Sequence, residues 1–267
     1  MIKKIKSEGK CLYCGNTYSK SAINRHIATH LAQKVQENKK GISFTVKVEA
    51  KSHYIPEASY FLSLWVDGET GFDELDYFLG CIWLQCCGHL SHFRKPYNSV
   101  KRDYDGLAND IVKQFRETGH LGVPEDCDEY FSRDDETFSM EEKVKNAFYS
   151  KLKIKYEYDF GSTTELTLTV TNRYEIEADE RIVLLSRNEP PAIYCRACNE
   201  RIAIYVCTVH AFNEECVFCE ECAKQHAAEC PDFEDYAAMT IVNSPRFGIC
   251  AYNGGTIDTE RDGIYGQ

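Results

Sequence analysis

Cysteine and histidine recur along this chain in close pairs, at spacings that a tetrahedral metal ion can use. The first set is Cys11-x2-Cys14-x11-His26-x3-His30. Two thiolates from a knuckle and two imidazoles one helical turn apart suit zinc. His26 and His30, at i and i+4, share one helix face. Tyr18 and Ile23 stand where so small a unit needs apolar support. The second set is denser: Cys195-x2-Cys198, Cys207-x2-His210, Cys219-x2-Cys222 and His226-x3-Cys230. These four pairs can serve two ions, with the first and third pairs on one and the second and fourth on the other. Cys216 is a spare that could replace His210. Three zinc ions are expected in all, in closed structural sites, since protein ligands fill every coordination position.

The first pattern resembles a C2H2 zinc finger over residues 9–31, although the usual central spacer is twelve residues. The interleaved order of the second resembles cross-braced modules of the MYND and B-box kind. In the C2H2 family, base contacts come from helix positions that here are Ser19, Ala22 and Arg25. Only Arg25 could make a bidentate guanine contact.

Charge bears on what each module touches. The net charge of −11 is uneven: residues 1–41 carry nine Lys/Arg against Glu8 and Glu37, a surplus of +7 that leaves −18 elsewhere. Such an arm can attract an anionic partner, with Arg25, Lys20 and Lys34 as the candidate nucleic-acid contacts, and a single finger makes that contact weak. Acidic residues crowd the second cluster between Glu214 and Asp235, where Lys224 is the one base. Phosphate is repelled there, and a protein partner is expected.

A third motif, Cys86-Cys87-Gly88-His89-Leu90-Ser91-His92, invites a nucleophile or a fourth metal. Cys86 continues the apolar face set by Leu75, Phe78, Leu79, Ile82 and Trp83, so a core or turn role is preferred. No Walker-type loop, Gly-x-Ser-x-Gly elbow or His-Glu-x-x-His is present. The alternative to a binding protein is a hydrolase or nuclease near His89, His92 and Asp159, with Cys87.

Asp73-Glu-Leu-Asp76, Ile82-Trp83, His89-Leu90-x2-Phe93 and Tyr156-x-Tyr158-Asp159-Phe160-Gly161 resemble the Ri-plasmid ORF-three-like family, which includes TnpR-related transposon passengers. The resemblance spans residues 41–187 and implies a compact α/β domain. Members usually follow the Tyr-Asp-Phe-Gly stretch with Asp, Trp and His, where this chain has Ser162, Thr164 and Leu166. His89 and Asp159 match.

The elements that must position these groups follow from periodicity. Ile42–Val48, Tyr60–Val66, Leu152–Tyr158 and Leu166–Val170 alternate as strands, with Gly161 turning a hairpin. Ile182–Leu185 is a short, fully buried strand. Leu75–Cys86 and Leu107–Phe115 are helical, the latter stopped by Gly119, and an acidic surface loop follows to Glu136. Ser139 and Glu142 space a capping box. The expected fold is α/β (α+β): a mixed-sheet core with packed helices, flanked by two small zinc modules. The domains are a finger with a basic arm (1–40), the core (41–190), a two-zinc cysteine-rich module (191–253) and a flexible tail (254–267). No stretch is apolar for the ~18 residues a membrane span needs. No secretory signal follows Met1, so a cytoplasmic, reducing location and thiols rather than disulfides are expected. The expected role is a non-enzymatic adaptor or regulator, tied to mobile elements or nucleic acid.

Overall fold

Two nine-residue strands pair along their whole length at the centre of the molecule, β3 (Ser43–Lys51) and β4 (Ser59–Asp67), from Ser43↔Asp67 to Lys51↔Ser59. Phe44, Val46 and Val48 stand opposite Val66, Leu64 and Leu62, on one face. The sheet widens through β7 (Thr164–Tyr174), β6 (Lys153–Tyr158) and β5 (Ser91–Arg94) on one side. On the other it widens through β8 (Ile182–Asn188), β1 (Glu8–Cys11) and β2 (Thr17–Ser19). The order is β2-β1-β8-β4-β3-β7-β6-β5, and its pairings are antiparallel rather than mixed. The class is α+β. This computed structural model describes residues 5–34, 40–96, 112–113, 115–117, 137–211 and 215–263.

Both faces of the sheet are covered where β4 runs, which explains its nearly unbroken apolar sequence. One face packs Leu62, Leu64 and Val66 against α2 (Phe72–Leu79) and the wide π-type turn Gly80–Leu84, which buries Ile82 and Trp83. The other face turns Phe61 and Trp65 toward Ile23, Ile27 and Leu31 of α1 (Ile23–Lys34). The Trp65 indole N–H donates to Ser43 Oγ at 2.8 Å.

Several expectations shift. At the start of α2, the Glu74 side chain accepts the Gly71 N–H at 2.8 Å. The Ser139–Glu142 box does not form: Lys143 caps the single turn α3 (Val144–Ala147) without a side-chain bond. The helix over 107–115, Gly119 and the acidic loop lie mostly outside the described residues, with Val112 and Phe115 helical and exposed. Ile182, Val183 and Leu184 of β8 are half-buried, because the fully buried part of the strand is Leu185–Asn188.

A second sheet, ordered β10-β9-β11, joins Val217–Phe218, Tyr205–Cys207 and Ala238–Thr240. Helix α4 (Glu220–Glu229) packs beside it. Val206 and Val217 face the main core, together with Ile241 and Phe247. Packing and hydrogen bonds therefore run across residues 40/41 and 190/191. Residues 254–263 are anchored rather than frayed. Gly255 approaches the Cys81 and Ile82 carbonyls so closely that a Cβ would lie 2.5 Å from the former, and Asp262 pairs with the buried Arg187.

Candidate metal centres

The hairpin β1–β2 and helix α1 bring Cys11, Cys14, His26 and His30 together, their ligand atoms all within 4.8 Å of one another. The knuckle closes with the Gly15 N–H on the Cys11 carbonyl at 2.8 Å. Cys14 Sγ lies 3.2 Å from His26 Nε2, and the two histidine Nε2 atoms are 3.1 Å apart. With metal–sulfur bonds of about 2.3 Å and metal–nitrogen bonds of about 2.0 Å, tetrahedral ligands sit about 3.3–3.8 Å apart, so little movement is needed. The Tyr18 ring stacks on His26. Burial, then the His30 charge, lowers the His26 pKa, which favours the neutral imidazole a metal requires. The Asn16 N–H lowers that of the Cys14 thiol.

Cys195, Cys198, Cys219 and Cys222 form a second group, and Cys207, His210, His226 and Cys230 a third, each with ligand atoms within 4.8 Å. Helix α4 serves both: Cys219 precedes its first turn, Cys222 lies in it, and His226 and Cys230 close its last. Backbone N–H groups of Arg201 and Glu200 bring the Cys198 thiol down to about 6, while burial and the other thiols push Cys222 up to about 12. A cation among four sulfurs removes that conflict, since each thiolate then has a positive neighbour. In the third group Cys207 Sγ is 3.2 Å from His210 Nδ1. His226 Nε2 is buried with no hydrogen-bond partner, a costly state for a polar atom that a metal would relieve. Cys216 stays outside the group, buried with Val206 and Val217 in the main core. All three donor sets fit a metal ion.

A fourth convergence joins Cys86, Cys87 and His89 to Cys250. The stretch also keeps the expected core and turn features, with Cys86 packed against the main core and Gly88 at φ +81°. The helical stretch ends at Leu84, so Cys86 is only half-buried, and Cys87 is exposed. Cys250 had no local signal, since it has no ligand neighbour in sequence. The hint available was an incomplete triplet at 86–89 beside one cysteine left over near the glycines of 248–255.

The remaining candidates separate. His89 Nδ1 lies 3.5 Å from Asp159 Oδ1, whereas His92 Nε2 turns to Glu157 at 2.8 Å, beside Arg94. Thus His89, His92 and Asp159 do not share one centre. Of the basic candidates, Lys20 pairs with Glu49 at 2.8 Å and Lys34 pairs with Asp179, which leaves Arg25 exposed on α1. A groove of about 510 Å³ beside Lys20, Lys51, His53 and Thr164 contains none of the metal-ligand candidates. No helix among the described residues is long and apolar enough to cross a membrane.

No protein-family model matches the chain, and no curated protein matches it. Among solved structures it is similar to a protein of unknown function, MM3350, from Methanosarcina mazei Go1. The identity is 14%, the match covers 55% of this chain and 68% of that one, and the TM-score is 0.35.

Proposed function

We propose that this is a zinc-stapled, non-enzymatic binding protein whose C-terminal module docks a basic segment of a protein partner. The three expected zinc ions would occupy the finger group and the two groups around α4. The resemblance of residues 41–187 to the Ri-plasmid family belongs to the same reading. One observation carries it: Glu229, Asp232, Glu234 and Asp235 are exposed around the two groups on α4, with the Tyr236 ring 60% exposed beside them, while Glu220 and Glu221 pair with Lys224 and Arg201. Metal would fix this surface, its charge repels phosphate, and an open aromatic ring among carboxylates suits lysine or arginine side chains. Nucleic-acid contact by the finger is the weaker reading, because Lys20 and Lys34 already pair within the chain.

Fluorescence anisotropy with labelled Lys/Arg-rich peptides tests this. Binding should weaken at high salt and fall about tenfold or more in a Glu234→Lys/Asp235→Lys/Tyr236→Ala variant of unchanged metal content, a loss of about 1.4 kcal/mol or more. Equal binding by the variant, or a preference for DNA or RNA at the same salt, would reject the docking surface.

A further inference from the structure

We propose that Cys86, Cys87, His89 and Cys250 form a fourth zinc site, one that clasps the C-terminal segment to the far corner of the main sheet. Cys87 Sγ lies 3.9 Å from Cys86 Sγ, 3.5 Å from Cys250 Sγ and 3.1 Å from His89 Nε2. His89 Nε2 lies 3.4 Å from Cys250 Sγ. A tetrahedral zinc held by three sulfurs and one nitrogen has sulfur–sulfur edges of about 3.8 Å and sulfur–nitrogen edges of about 3.5 Å. Adjacent cysteines reach one ion because Gly88 takes φ +81°, with nothing within 4 Å of where a Cβ would be, and folds His89 back over the thiols.

The surroundings fit a metal-bound imidazole. With Nε2 facing the sulfurs, Nδ1 faces Asp159, the carboxylate–histidine arrangement that fixes a ligand's tautomer and ring orientation. Asp159 is itself held in place. It accepts N–H bonds from Gly161 and Ser162 at 3.1 and 3.2 Å, and the buried Arg246 guanidinium donates to it at 2.5 Å. Arg246 also points a donor at Cys86 Sγ, 3.7 Å away. Three thiolates and one Zn²⁺ leave a single negative charge, and a guanidinium beside the sulfurs offsets it. On binding, each thiol loses its proton to solvent, so the site should empty as pH falls. A Cys87–Cys250 disulfide is the competing use of these atoms. It would leave Cys86 and His89 Nε2 aimed at the same point without a shared partner.

Full-length protein purified under reducing conditions should carry four zinc ions by elemental analysis. A Cys87→Ser/Cys250→Ser variant should carry three and keep the other three through dialysis. Differential alkylation gives a readout on the unaltered chain. Cys87 and Cys250 are exposed yet should resist iodoacetamide until a chelator is added. Cobalt-substituted protein should lose only part of its thiolate-to-metal charge-transfer intensity on Cys87→Ser, the share from the two groups around α4 remaining. Three zincs in the unaltered chain, rapid alkylation of both thiols before chelation, or a Cys87–Cys250 disulfide by mass would overturn the proposal. Loss of one zinc in the double variant with Cys87 protected beforehand supports it. Loss of the zincs elsewhere with Cys87 unprotected counts against it.

Discussion

Arg187 and Arg246 have no exposed surface at all. Arg187 donates to the Asn243 carbonyl at 2.7 Å and the Asp258 carbonyl at 3.0 Å, and it pairs with Asp262. Removing one member of a buried pair leaves the other's charge uncompensated, at roughly 3–5 kcal/mol. Arg187→Met should therefore lower stability by about that much in urea denaturation, and a loss below about 1 kcal/mol would show the pair to be dispensable. Nothing local in the sequence marks these arginines. Their partners lie 56–160 residues away, and arginine is ordinarily a surface residue. A separation of 161–163 residues likewise hid Cys250 from His89 and Cys87, whereas ligands within a knuckle or one helical turn announce each other by spacing. Glu49 gives a pH test. Burial would raise its carboxyl, but Lys20 and Lys47 outweigh that and hold it below the ordinary 4.5. A folded value below the unfolded one means stability that is present above 4.5 and lost as pH falls through the lowered value. Glu49→Gln should flatten the acid limb of a thermal-melt pH series in that window. An unchanged limb would assign the acid sensitivity to other groups.

At the scale of elements, β1 is the case in point. It pairs with β2 on one side and β8 on the other, Gly9↔Asn188 through Cys11↔Ser186, so the hairpin that carries Cys11 is part of the main sheet. Alternation in β4 was legible, yet Tyr60, Leu62, Leu64 and Val66 account for one face only. Phe61 and Trp65 serve α1, a contact that periodicity within one segment cannot reveal. Deleting residues 1–34 should strip cover from Phe61, Trp65 and Leu185 and open the edge of β8. The truncated chain should aggregate rather than remain a soluble core, and a monodisperse truncation by light scattering would contradict this. Leu31→Ala, a milder insult to the same contact, should cost roughly 2–5 kcal/mol.

At the scale of the molecule, three packing clusters among the described residues divide the work. The main core buries aromatic and aliphatic side chains in quantity, whereas the cluster around α4 is largely cysteine, with Phe218 and Phe233. With the proposed zinc ions in place, so small an apolar set would draw much of its stability from metal. After chelation, hydrogen exchange should accelerate first in residues 215–240 and later in β3, β4 and β7. Simultaneous loss of protection throughout would show one cooperative unit. The second consequence concerns time. Asn243, Arg246, Cys250 and Asp262 complete contacts with β8, the turn after β6 and the 86–89 corner, yet the ribosome delivers them after all of those partners. A nascent chain halted at residue 242 would hold Arg187 without its carboxylate and Asp159 without its guanidinium. Protease protection of the sheet on stalled ribosomes should thus lag far behind the synthesis of β8, and arrive only when the residues up to 262 have cleared the exit tunnel.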